Sequence, residues 1–154
     1  MSDAPHLFED TRDLLVALDE HQVEFLVVGA HALAAHGIAR ATADFDVLVR
    51  PSADNAARVL RALVVFGAPV KAHGVTTDDF EREGTVYQMG LPPRRIDMLT
   101  QISGVSFDEA WRSRLEVQVD GLRFAVLGRE ALIKNKRASG RPKDILDVNA
   151  LEGA

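Results

Sequence analysis

The sequence of 154 residues predicts a mixed-sheet α/β (α+β) domain flanked by helices. Three observations carry that prediction. Short apolar runs of strand length mix with stretches of helical period, without strict alternation. Glycine, proline and Asp-Gly punctuate them at close intervals. No repeat, low-complexity tract or long linker breaks the series. The span 1–154 therefore reads as one domain, with a core over about 22–127 and a C-terminal helical segment over about 128–152 packed on it.

Each element has its own warrant. Residues 7–21 carry Leu14, Leu15 and Leu18 on one helical face. Residues 24–28 are nearly all apolar, which predicts a strand buried on both faces. Residues 30–36 form a short Ala-rich helix closed by Gly37. Residues 45–49 are the second strand, stopped by Pro51. Ser52 caps a helix running to Phe66, with Val59, Leu60, Leu63 and Val64 as its stripe. Residues 76–79, TTDD, read as a capped helical turn. Strands over 85–89 and 95–99 flank Gly90-Leu91-Pro92-Pro93 and predict a hairpin. Ser106 caps a short helix over 107–112, for which Phe107 and Trp111 are core anchors. Asp120-Gly121 between apolar runs is a hairpin turn. A helix over 129–139 ends at Gly140, and a last one covers 143–151 with Pro142 at its first turn.

Composition excludes several classes of protein. There is no cysteine, so disulfides and thiolate metal sites are ruled out, in keeping with a reducing cytoplasm. No apolar run approaches the roughly 20 residues that span a bilayer. The start of the chain, MSDAPHLFEDTRD, lacks the apolar run of a signal peptide. A net charge of -5 argues against a broad grip on nucleic acid. A local basic run remains: Arg129, Lys134, Lys136, Arg137, Arg141 and Lys143, with Glu130 as its one acid. It is either a solvated helix surface or a seat for an anion.

The chemistry concentrates between Phe25 and Arg50. Asp44 and Asp46 stand two positions apart on a strand, so their side chains share a face. Their Cα atoms should lie roughly 6.5–7 Å apart. Such a pair can share a divalent cation, and without one their repulsion penalises double ionisation. Asp97 is a third strand acid, flanked by Ile96 and Met98, which calls for a polar site to face. Three such carboxylates suit two magnesium ions roughly 3.5–4 Å apart. A lesser alternative pairs Asp97 with Arg94 or Arg95. His31 and His36 are five apart, not the four that puts two ligands on one helix face, so they read as polar-face or packing residues.

Taken in order, Gly29-Ala30, Asp44-Phe45-Asp46 and Asp97 resemble the DNA polymerase beta-like nucleotidyltransferase superfamily. Finer features are similar to small bacterial nucleotidyltransferase-like proteins of the abortive-infection and toxin–antitoxin type. These are Val28-Gly29-Ala30-His31-Ala32, Arg40-Ala41-Thr42-Ala43-Asp44-Phe45-Asp46, and Arg141-Pro142-Lys143-Asp144 followed by Asp147. The resemblance spans about 23–151. It implies a cytoplasmic magnesium- or manganese-dependent enzyme that moves a nucleoside monophosphate from a triphosphate to a hydroxyl. The acceptor is an RNA end, a protein or a small molecule. Asp44, Asp46 and Asp97 become metal ligands and catalytic residues, Asp97 as third ligand or general base. Gly29 and Ala30 take the phosphates at the start of the following helix. Arg40, Thr42, Lys136, Arg141 and Lys143 fall on the nucleotide-binding side. Arg40 either reaches phosphate or pairs with Asp44. Lys136, Arg141 and Lys143 either contact phosphates or pair with Asp144 and Asp147. Ala30 departs from the Gly-Ser or Gly-Gly of the superfamily and removes a hydroxyl. That departure implies an alternative: a catalytically weak or inactive binding module, paired with a small helical partner in a toxin–antitoxin or regulatory couple.

Overall fold

Two strands with almost no solvent-facing side lie at the centre of the molecule. β1 (Phe25–Val28) is buried at every residue, and β2 (Phe45–Val49) at every residue except Asp46. Strands of this kind need cover on both faces. A computed structural model describes residues 7–39, 44–91 and 94–153. In it these strands form the middle of a six-stranded mixed sheet. The outer strands are β3 (Val86–Met89), β4 (Ile96–Leu99), β5 (Leu115–Val119) and β6 (Leu122–Val126). Their order is β3-β4-β2-β1-β6-β5.

The helices follow the expected series. They are α1 (Glu9–Glu20), α2 (Ala30–Ala35), α3 (Ala53–Phe66), α4 (Thr77–Glu81), α5 (Phe107–Arg112), α6 (Arg129–Ser139) and α7 (Pro142–Gly153). α3 packs between α1 and α4, α2 lies on β1, β2 and β6, and α6 pairs with α7. The caps are those the sequence indicates. Ser52 Oγ accepts from the Asn55 N–H, and Ser106 Oγ from the Glu109 N–H. Thr76 and Asp79 close a reciprocal capping box. Asp120 and Gly121 both take positive φ, and Val119 faces Leu122 across the two-residue turn.

Two connections position the later helices. Asn55 is buried; its side chain accepts from the Glu24 N–H and donates to the Glu24 and Arg50 carbonyls. This ties the start of α3 to both central strands. After β4, the loop around Gly104 lies against α6. Asn135 donates to the Ser103 carbonyl, and a Cβ on Gly104 would come within 2.5 Å of the Ala138 Cβ. The close approach fixes the distance from β4 to α6.

Gly104→Ala should therefore destabilise the fold by about 2–4 kcal/mol, from overpacking plus the strain of positive φ. Gly74→Ala, also at positive φ but in open space, should cost only about 1–2 kcal/mol. Urea unfolding of the two variants beside the parent protein measures the difference.

Candidate active site

β2 runs parallel to β4 in a register that sets Phe45 opposite Ile96 and Asp46 opposite Asp97. β1 runs antiparallel to β2 and sets Val28 opposite Asp46. One line across three strands thus carries Val28, Asp46 and Asp97. Asp44 and Arg95 lie two residues before Asp46 and Asp97, at the entries to β2 and β4, where their side chains meet. The sheet brings the three predicted aspartates together at one end, beside Gly29.

Gly29 is glycine for a reason the sequence reading did not anticipate. Its φ of 70° and ψ of -149° belong to a region that is essentially glycine-only. A Cβ there would also stand 2.5 Å from the Asp46 Oδ2. The residue makes room for the Asp46 carboxylate itself.

The three acids differ in their surroundings. Asp97 is buried, and Arg95 holds it through Nε at 3.1 Å and Nη2 at 3.3 Å. The same Nη2 donates to the Asp44 Oδ2 at 2.6 Å. The lesser alternative for Asp97, pairing with Arg95, is therefore what the structure contains. The Asp46 carboxylate accepts no hydrogen bond from a side chain among the described residues. Burial, then Asp97, then Asp44 push its pKa up to about 6, against the opposing charges of Arg95 and Lys136. Among the described residues no three carboxylate or imidazole groups already close around a cation position. The guanidinium of Arg95 occupies the space between two of the three.

Lys136 and Arg141 are committed as well. Lys136 is buried on α6, with its ammonium 3.3 Å from Asp144 and 3.3 Å from Asp147 on α7. Arg141 binds Asp144 from outside at 2.7 Å, with over half its side chain exposed. Burial alone would raise the pKa of Asp144, but Arg141 and Lys136 outweigh it and hold it low. Other members of the basic run pair outward: Lys134 with Glu109, Arg137 with Glu152, Arg129 with Glu130. Of the six cations, Lys136 is the one whose charge bears on Asp46. Lys143 is exposed at the start of α7. Arg40 and Thr42 lie outside the described residues.

The remaining candidates are structural. His31 packs on Phe45 with ring centres 4.6 Å apart, and burial lowers its pKa. His36 Nε2 meets the Leu127 carbonyl, tying α2 to the end of β6. Tyr87 is buried, with its hydroxyl on His73. Phe107 and Trp111 stack, with Arg50 over the first and Arg114 over the second. A cavity of about 530 Å³ between α5 and α6 is lined by Glu109, Arg112, Lys134 and Arg137, away from the aspartates.

Two measurements follow from these charges. In metal-free protein, Asp46 binds its proton more tightly folded than unfolded, so stability falls as pH rises from about 4 to about 6. Asp46→Asn should stabilise the protein above that window by on the order of 1 kcal/mol, after discounting for solvent screening. The gain should vanish near pH 4 in thermal melts. Lys136→Met should cost about 3–5 kcal/mol, because Asp144 and Asp147 would stay buried with too little positive charge. Arg141→Gln, at the exposed end of the same network, should cost about 1 kcal/mol or less.

The fold itself has known relatives. A Thermotoga maritima protein assigned to the nucleotidyltransferases superposes with a TM-score of 0.57 and 14% identity, covering 96% of this chain and 94% of its own. The antibiotic-resistance factor ANT(2'')-Ia superposes with a TM-score of 0.55 and 16% identity, covering 92% of this chain and 80% of its own. At these identities the likeness concerns the fold. No curated protein matches the sequence. A family match extends over residues 5–152, nearly end to end. The chain belongs to the family described as nucleotidyltransferase of unknown function (DUF6036).

Proposed function

We propose that the protein transfers a nucleoside monophosphate from a nucleoside triphosphate to a hydroxyl acceptor, with magnesium held by Asp44, Asp46 and Asp97. The observation that carries this reading is the placement of Asp46: set opposite Asp97, lodged against Gly29, its carboxylate without a side-chain hydrogen-bond partner among the described residues. The donor chemistry fits the ion, since magnesium prefers carboxylate oxygens and keeps positions for phosphate and water. When bound, it neutralises phosphate charge in the displacement.

The chain's own groups then divide the work. The acceptor oxygen attacks the α-phosphorus as the bond to the bridging oxygen breaks and pyrophosphate leaves. Asp97 takes the hydroxyl proton. The open backbone at Gly29 and Ala30 lets the phosphates approach. Lys136 contributes positive potential from a fixed, buried position, with Arg141 and Lys143 further out. Arg40 and Thr42, which precede Asp44 in the sequence, would add a guanidinium and a hydroxyl for the phosphates. The acceptor is an RNA end, a protein side chain or a small molecule. No helix among the described residues is long and apolar enough to cross a membrane.

A second reading has its own support. Ala30 offers no hydroxyl to the phosphates, and Arg95 neutralises two of the three acids. Both features suit a catalytically weak module acting through a partner, such as a small helical protein in a toxin–antitoxin pair.

The test is transfer of label. Purified protein is incubated with each α-labelled ribonucleoside triphosphate, magnesium, total RNA and cell extract. Labelled product is expected with the parent protein, reduced about 100-fold or more by Asp46→Asn. Product that persists undiminished in Asp46→Asn, or is absent with all four triphosphates, would sink the enzymatic reading. Neutralisation of a partner that survives loss of all three aspartates would establish the second.

A further inference from the structure

Arg95 forms one corner of a square of charges. Across the parallel pairing, Asp44 stands beside Arg95, and Asp46 beside Asp97. Its backbone is fixed, because its carbonyl accepts from the Phe45 N–H at 3.0 Å. Its side chain reaches solvent, at 30% exposure. The ion pairs are not needed to join the strands, since four residue pairs already set the β2–β4 register. Arg95 holds three oxygens: Asp44 Oδ2, Asp97 Oδ1 and Asp97 Oδ2. These are the atoms a divalent cation needs, and they cannot serve both at full strength.

Resting on the reading of the aspartates as a metal–nucleotide site, we propose that Arg95 is a place-holder. It holds the carboxylates until a divalent cation binds, yields them to that cation, and turns its guanidinium onto the substrate triphosphate. A guanidinium cannot discharge by losing a proton, so once displaced it must find another anion. Its planar fork matches phosphate oxygens as well as carboxylate oxygens. The exchange makes cation and triphosphate binding mutually supportive, because each gives Arg95 a reason to leave or a place to go. Lysine in the same position would keep the charge and lose the fork.

The experiment is titration calorimetry with manganese alone, then with each of the four ribonucleoside triphosphates in the presence of manganese. The proteins are wild type, Arg95→Gln, Arg95→Lys and Asp46→Asn, each checked for fold by circular dichroism. Arg95→Gln should bind manganese about tenfold more tightly and the preferred triphosphate about tenfold more weakly. Arg95→Lys should keep manganese affinity near wild type and lose part of the triphosphate affinity. It also stands in should Arg95→Gln fail to fold. Manganese affinity equal or weaker in Arg95→Gln overturns the proposal and leaves the metal site standing, provided Asp46→Asn has lost the ion. Tighter manganese with unchanged triphosphate affinity overturns the second half, the transfer to phosphate. Absence of manganese binding in both wild type and Arg95→Gln removes the metal reading and the proposal together.

Discussion

The parallel register of β2 on β4 is the constraint on which the site depends. Shifting it by one residue would turn Asp97 to the other face of the sheet and bury it among apolar side chains. In the observed register two acids lie side by side and a third lies diagonally across, at a sheet end where β1 also stops. Gly29 follows β1 at once and yields the space that the middle carboxylate requires. The fold thereby gathers like charges that repel one another, and it compensates in three ways. Arg95 binds two of them, Lys136 supplies potential from below, and Asp46 holds its proton to higher pH than an ordinary aspartate.

Much of this arrangement was legible in the sequence, for a definite reason. Strand side chains alternate with a period of two, so Asp44 and Asp46 had to share a face wherever the strand lay. The central strands were readable because they are apolar throughout, and the turns because Gly, Pro and Asp-Gly leave little choice. What escaped was pairing across the chain. Arg95 and Asp97 are also two apart, so their contact was written in the same alternation, yet the functional role for Asp97 outweighed it. Asp44 enters beside Arg95 only through parallel pairing, which adjacency in sequence cannot show. Arg40, for which pairing with Asp44 was one of two readings, lies outside the described residues.

The C-terminal helices gave a mixed outcome. The run of basic residues looked uniform in sequence but divides sharply in space. Lys136 lies four residues after Leu132, on the apolar stripe of α6, and that spacing was the available signal for its burial. Its neighbours Lys134 and Arg137 fall on the outer surface and pair with acids there. A buried ammonium between two buried carboxylates is an expensive way to join two helices; apolar residues would do as well. Its retention beside an acidic site is better understood as a means of holding charge at a fixed place.

The order of synthesis gives that network a temporal meaning. β2 and β4, with their aspartates and Arg95, leave the ribosome before α6, and α6 before α7. Both carboxylates that hold Lys136, Asp144 and Asp147, lie on α7, so without α7 that ammonium would have neither beside it. Part of the electrostatic setting of Asp46 is therefore encoded in α7, which follows the strand acids in the chain.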